Sequence, residues 1–345
     1  MAGDTVFRVV GLSKRYSKSP SYANYDVNIE VARGDVFGLY GANGAGKSTL
    51  VRQLMNLVRP TAGEIYLDGR AVVADPSWVA SKVAYLPQQA CGFWGISPRE
   101  LVYRTGRLRG MSRAEAATAT SSLLAEWRLT EHADKWVCRL SGGQRRLTGL
   151  AVALIGDLPI LVLDEPTNEL DPTLRRAVWH KLLDLSQNQG KTVLLVTHNL
   201  VESERVVNRV AIMRKGRIAA AGSPAALKKE VDGRVRLEVR LRERNGFVRS
   251  TSFPPYVQVI QSDAASLLLQ VPCDQVGEAF QLLLAAVRLD HIEDLNVRSA
   301  SLEEIYGALE NEGQDAIACD SAPGNPRRVG SRLSHDPRLQ TEETI

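Results

Sequence analysis

Long apolar runs are missing from this sequence. Its most apolar stretch, LTGLAVALIGDLPILVL at 147–163, is broken by Gly149, Gly156, Asp157 and Pro159. No segment therefore supplies the roughly 20 unbroken apolar residues of a membrane-crossing helix. The start, MAGDTVFRVV, has neither a basic flank nor a long apolar stretch ending in small residues, and does not read as a signal peptide. Cysteine is scarce. Cys91, Cys138, Cys273 and Cys319 lie far apart, with none of the paired spacings that mark a zinc site or a disulfide framework. An excess of one charge is lacking too: 43 Lys and Arg face 39 Asp and Glu, spread along the chain, for a net +4. That is too little to argue for nucleic acid or an anionic lipid surface. The expectation is a cytoplasmic protein with free thiols and no nucleic-acid partner.

What is present is enough apolar material, 44% of 345 residues, for one substantial core and a second smaller one. Short branched runs alternate with helical patterns. VFGLY (36–40), KVAYLP (82–87), ILVLDEP (160–166), TVLLVTH (192–198) and RVAIMRKG (209–216) read as strands, several apolar on both faces. This order predicts an α/β core with a largely parallel sheet, whose ligands collect at the carboxyl ends of its strands. Past residue 230 the texture changes. RVRLEVRL, FVRSTSF, YVQVIQSD and SLLLQVP read as short alternating strands, and DQVGEAFQLLLAAV and SLEEIYGALE as helices, so 232–310 is expected to be a small α+β domain. From 311 to 345 Gly, Asp, Pro, Ser and Arg dominate, and a disordered tail is expected.

GANGAGKST at 41–49 follows the strand VFGLY and precedes the helical LVRQLMNLV, the context that makes the bare pattern a phosphate-binding loop. Gly41, Gly44 and Gly46 let the backbone aim N–H groups at phosphate oxygens, and the following helix offers its positive end. Lys47 then reaches the β and γ phosphates, and Ser48 offers a hydroxyl to Mg²⁺. ILVLDEPTNELD ends a hydrophobic strand in two acids. Asp164 suits a metal shell, and Glu165, one residue on, can accept a proton from attacking water. His198 ends TVLLVTH, which delivers it to the same sheet edge. The histidines at 132, 180, 291 and 335 sit in helical or loop patterns and attract no functional reading.

A second glycine-rich helix start, LSGGQRRL at 140–147, joins a serine hydroxyl to a helix N-terminus and forms another anion-binding surface. GANGAGKST, the glutamine of YLPQQ, LSGGQ, LVLDEPTNELD and TH, in that order, resemble the nucleotide-binding subunit of an ATP-binding cassette (ABC) transporter over about 5–228. The resemblance implies a P-loop ATPase fold with an antiparallel subdomain and a helical subdomain at about 90–150. It implies that Tyr16 stacks on adenine; that Gly41, Asn43, Gly44, Gly46, Lys47, Ser48 and Thr49 hold the phosphates; and that Gln88 senses the γ-phosphate, shares Mg²⁺ with Ser48 and Asp164, and contacts the membrane partner. Ser141, Gly142, Gly143 and Gln144 become the signature, Glu165 and His198 the catalytic pair, and Asp171 the acid of the loop after the second strand motif. In the family the signature faces the nucleotide of a partner subunit, so a head-to-tail homodimer closing on two ATP and driving a separate permease is implied. CGFWGISPRE, with Phe93 and Trp94, is the candidate docking stretch.

The ending SLEEIYGAL resembles that of exporters of the daunorubicin-resistance type, implying export of drugs or other complex substrates from the inner face of the membrane. Two positions depart from the family: Glu169 stands where glycine is usual, and Val152 where arginine is common. Neither binds phosphate, metal or water, so hydrolysis is still expected. A soluble cassette ATPase acting on ribosomes or DNA is the rival reading; such proteins usually carry two fused cassettes or long coiled-coil insertions, and this chain has one cassette. A regulatory binder without turnover conflicts with the intact Glu165 and His198.

Overall fold

The computed structural model describes residues 4–17, 19–89, 95–231, 233–242, 253–262, 266–286, 292–299 and 301–306. The chain opens with an antiparallel sheet of β1 (Thr5–Arg15), β2 (Tyr22–Ala32), β4 (Ala62–Leu67) and β5 (Arg70–Ala71) in the order β2-β1-β4-β5. β3 (Val36–Tyr40) leaves it to found a second sheet with β6 (Val83–Leu86), β7 (Ile160–Asp164), β8 (Thr192–Val196), β9 (Arg209–Arg214) and β10 (Arg217–Gly222), ordered β10-β9-β3-β8-β7-β6. All its pairs are parallel except the β9–β10 hairpin. Every residue of β3, β7 and β8 is buried, as strands covered on both faces must be.

The period of two in these strands divides the core. Phe37, Leu39, Ile160, Val162, Leu194 and Val196 face the antiparallel sheet and α1 (Lys47–Leu54). Val36, Tyr40, Leu161, Leu163, Val193 and Leu195 face the opposite layer, with residues of α5 (Gly142–Leu154) and α6 (Pro172–Gln187). α2 (Pro76–Lys82) leads into β6, while α3 (Pro98–Leu108) and α4 (Arg113–Glu126) pack with α5 as a helical layer. Short α7 (Leu200–Ser203) follows β8, and α8 (Pro224–Val231) follows β10.

The third sheet is antiparallel, ordered β12-β13-β11-β14, from β11 (Arg234–Leu241), β12 (Gln258–Ser262), β13 (Ser266–Pro272) and β14 (Ile292–Ser299). Leu237, Val239, Leu267, Leu269 and Val271 alternate inward against Ala279 and Leu283 of α9 (Val276–Ala286), a core of its own. β14 was not singled out by its sequence, because only Ile292, Leu295 and Val297 are apolar and most of the strand is exposed. Residues 302–306 are helical, and Leu302 and Ile305 pack in the cluster of α5 and α6 rather than that of the third sheet. Each such burial is worth about 1.5–3 kcal/mol before ordering entropy.

FVRSTSF up to residue 252, Phe93 and Trp94, and the expected tail from 311 lie outside the described residues. Among those residues, no helix is long and apolar enough to cross a membrane.

Candidate functional site

The carboxyl ends of β3 and β7 meet at a cavity of about 350 Å³ lined by Ala23, Asn43, Gly44, Gly46, Lys47, Ser48, Thr49, Gln88, Asp164 and Glu165. The loop after β3 can turn this tightly because of its glycines. A Cβ at Gly41 would stand 2.3 Å from the Met213 carbonyl oxygen, and one at Gly46 would stand 2.3 Å from that of Ala23. Gly44, at φ +83, has nothing within 4 Å of such an atom. Asn24, fully buried on β2, holds the loop from behind: its amide donates to the Gly46 carbonyl at 3.1 Å and its Oδ1 accepts from Gln53 at 2.8 Å.

Lys47 is 8% exposed and donates to the carbonyls of Gly41 at 2.6 Å and Ala42 at 3.0 Å. Burial pulls its ammonium below the usual lysine range, while Glu165 and Asp164 oppose that shift. Asp164 moves the other way. Burial, reinforced by Glu165, pushes its carboxyl up to about 6, against the pull of Arg146, Lys47 and Arg52. A carboxyl raised from 3.8 to about 6 weakens the fold as pH rises through that window, since the folded state holds the proton longer. Asp164 Oδ2 is buried and has no hydrogen-bond partner among the described residues. A buried, unpartnered carboxylate oxygen lining the same cavity as Ser48 and Gln88 offers, with the oxygens of their side chains, an all-oxygen donor set, and these residues fit a hard cation such as Mg²⁺.

Glu165 is 5% exposed at φ +53, a left-handed conformation rare outside glycine. Its surroundings fix it there. Its N–H donates to the Val196 carbonyl at 2.7 Å, its Oε2 accepts from Thr197 Oγ1 at 3.0 Å, and its Oε1 accepts from the His198 N–H at 2.9 Å and lies 2.7 Å from His198 Nδ1. β8 thus brings Thr197 and His198 to the acid that ends β7.

The signature residues do not line this cavity. Ser141 caps α5: its Oγ accepts from the Gln144 N–H at 3.3 Å, and Gln144 Oε1 accepts from the Ser141 N–H at 3.0 Å. Glu169, at φ +64, lies across the helix start. A Cβ on Gly142 would stand 1.6 Å from Glu169 Oε2, and one on Gly143 would stand 2.9 Å from the Glu169 carbonyl oxygen. Val152 packs half-buried against the core. Asp171 caps α6, accepting from the N–H groups of Thr173 at 2.8 Å and Leu174 at 3.0 Å. Tyr16 follows β1 outside the cavity lining, with Lys14 Nζ 5.2 Å from its ring. Tyr22 and Tyr25 stack edge to face at 4.9 Å, with Arg217 4.1 Å over Tyr25.

Arg146 escaped the sequence reading. It is 5% exposed on α5; Nη1 donates to the carbonyls of Pro87 at 2.7 Å and Gln88 at 3.2 Å, and Nη2 donates to the Asp164 carbonyl. Burial lowers its guanidinium to about 10, opposed by Asp164, Glu165, Glu169 and Tyr85. Its signal was a charge four residues before the buried Leu150, on the inward face of an apolar helix.

The ABC transporter family model matches residues 25–168, and an AAA domain model matches 138–204. The chain is 35% identical over 305 residues to a daunorubicin resistance ATP-binding protein of Streptomyces coeruleorubidus, covering 88% of this chain and 95% of that one. It is 35% identical over 282 residues to a Nod factor export ATP-binding protein of Mesorhizobium japonicum, covering 81% and 80%. Among solved structures, a dimeric ATP-binding cassette in a post-hydrolysis state with ADP and phosphate aligns with a TM-score of 0.59 at 26% identity, over 63% of this chain and 98% of that one.

Proposed function

The chain belongs to the ATP-binding proteins of the ABC transporter family and is an ATPase; from that premise we propose that it drives an exporter, working as a head-to-tail pair beneath a separate membrane permease. Glu165 carries the reading: a buried carboxylate, fixed by Thr197 and His198, lining the same cavity as Lys47 and Asp164. Ser48, Gln88 and Asp164 would hold Mg²⁺, which supplies positive charge to the β and γ phosphate oxygens. Lys47 exchanges its loop carbonyls for phosphate oxygens, and the loop N–H groups from Asn43 to Thr49 hold the rest. Glu165 accepts the proton of the attacking water, and His198 orients that carboxylate. Tyr16, which directly follows β1, is proposed to stack on the base.

Ser141, Gly142, Gly143 and Gln144, turned away from the chain's own cavity, would complete the site of a partner subunit. ATP then joins two chains with two-fold symmetry and its hydrolysis releases them. The dimeric cassette supports this assembly, and the daunorubicin resistance and Nod factor export relatives support the direction, with a drug or other hydrophobic or complex molecule as cargo. We further propose 5–228 as the ATPase domain, with 90–150 its helical part, and 232–310 as a separate C-terminal domain. The permease would hold the protein at the inner face of the membrane.

Glu165→Gln tests the reading. It keeps shape but loses the base, so steady-state hydrolysis should fall about 10²- to 10⁴-fold while ATP binding persists and an ATP-bound dimer accumulates. Near-normal turnover of the folded variant would sink the assigned role.

A further inference from the structure

The C-terminal part of the chain reaches back to the end of α7, the short helix that follows His198. Leu302 and Ile305, 0% and 1% exposed, are buried in the cluster that also contains Leu200, Val206, Val207 and Leu227. Polar contacts fix the approach. Glu204, which follows the last residue of α7, accepts from the Leu302 N–H at 3.2 Å through Oε2 and ion-pairs with Lys228 through Oε1. The arriving segment is stiffened at its start: the Ser301 N–H donates to Glu304 Oε2 at 2.9 Å, the Glu304 N–H donates to Ser301 Oγ at 3.2 Å, and Arg236 of β11 pairs with Glu304.

α7 is only four residues long, and its N-cap, Asn199, directly follows His198. One turn of helix has little stability of its own, so its neighbours set its position. Glu202 is held from α6 by Arg175 at 2.9 Å and by Trp179 Nε1 at 3.1 Å. The Ser203 hydroxyl accepts from Tyr40 at 2.9 Å, at the end of the strand that feeds the phosphate loop. Glu204 is held by Leu302 and Lys228. Two of these three ties come from the ATPase core, and the third is shared between Lys228 of α8 and the Leu302 N–H of the segment beyond the third sheet.

We propose that residues 301–306, clasped to Glu204, position α7 and through it the His198 ring against Glu165. Glu204 and Leu302 are positioning residues, since they touch neither the cavity nor the acid. The clasp makes the hydrolysis rate depend on a part of the chain that contributes no wall to the nucleotide cavity. It rests on the ATPase reading above.

The test uses the full chain, with steady-state hydrolysis, fluorescent-nucleotide binding and melting measured together. Glu204→Ala should lower kcat about five-fold and leave KM for ATP within about two-fold. Glu204→Gln, which still accepts from the Leu302 N–H, should recover most of the rate. Arg236→Ala loosens the same segment from its own sheet but not from α7, and should leave kcat intact. In single turnover on a His198→Ala background, where slow rates are accessible, Glu204→Ala should add no further loss, because its effect runs through the missing ring. If Glu204→Ala does not fold, Leu302→Val carries the same prediction. Wild-type kcat in a folded clasp variant overturns the proposal. So does an equal loss in Arg236→Ala, or an undiminished loss on the His198→Ala background. Absence of hydrolysis by the wild-type protein would sink the ATPase reading instead.

Discussion

α1 begins at a glycine that no side chain caps, whereas α5 begins behind a serine whose capping is complete. Gly46, the N-cap of α1, sits at φ 109 with no side-chain hydrogen bond, and Gly41 and Gly44 before it also have positive φ. At α5, Ser141 and Gln144 satisfy one another, and neither Gly142 nor Gly143 has a positive φ. The first glycines bend the backbone so that its N–H groups converge on a cavity within the chain. The second pair clear room for Glu169 and contribute no wall to that cavity. One residue type thus serves two ends: a site formed within the chain, and a surface that we propose another chain must use.

The largest expected effect comes from separating these two roles. Lys47→Ala and Ser141→Arg should each lower hydrolysis by at least about 10²-fold, comparable to losing one preorganised donor to a transition state. Mixed, the two chains pair Lys47 of one with Ser141 of the other, so one complete site reappears beside one doubly damaged site. ATP-dependent association, read by light scattering on a Glu165→Gln background, should return in part. If folded, exchanging chains never associate on mixing, the two glycine loops do not meet across a dimer.

A smaller effect distinguishes bending from clearing. Gly41→Ala drives a methyl against the Met213 backbone from φ +153 and should destabilise the fold by about 2–3 kcal/mol in urea denaturation. Gly142→Ala meets only the end of the Glu169 side chain, which can swing away, and should cost under about 1 kcal/mol. Equal costs would erase the distinction. Smallest of all, Glu169→Gly should raise stability by about 0.5–1 kcal/mol by relieving a left-handed glutamate. Glu169→Ala, which keeps that conformation, should show no such gain in a thermal melt.

The parallel core was legible because β3, β7 and β8 are almost unbroken apolar runs, buried at every position, and no amphipathic reading competes. The phosphate loop, Asp164 and Glu165 announced themselves by residue type next to strand ends, Gln88 came only with the family resemblance, and the structure brings all of them to one cavity. Asn24, Thr197 and Arg146 were not legible. Each is a polar residue on an inward face, and which face is inward depends on pairings between segments far apart in the chain. Which aromatic residue would meet a base depends likewise on how β1 and β2 join, where Tyr16, Tyr22 and Tyr25 lie close together in sequence and Ala23 is the residue that reaches the cavity wall. The burial of Leu302 and Ile305 in the ATPase core could not be anticipated either, because an amphipathic helix does not specify which of two cores it covers.

Among the described residues, the hydrogen bonds of Arg146 go to main-chain oxygens, those of Pro87, Gln88 and Asp164. Every amino acid presents the same carbonyl, so this joint does not depend on which side chains occupy those three positions. Substitutions at 88 or 164 can alter the chemistry while the guanidinium goes on holding the signature helix to the β6 and β7 ends. Descendants of such a chain could therefore gain, lose or retune catalysis without first redesigning the frame, and a lineage could pass through inactive intermediates that still fold and assemble.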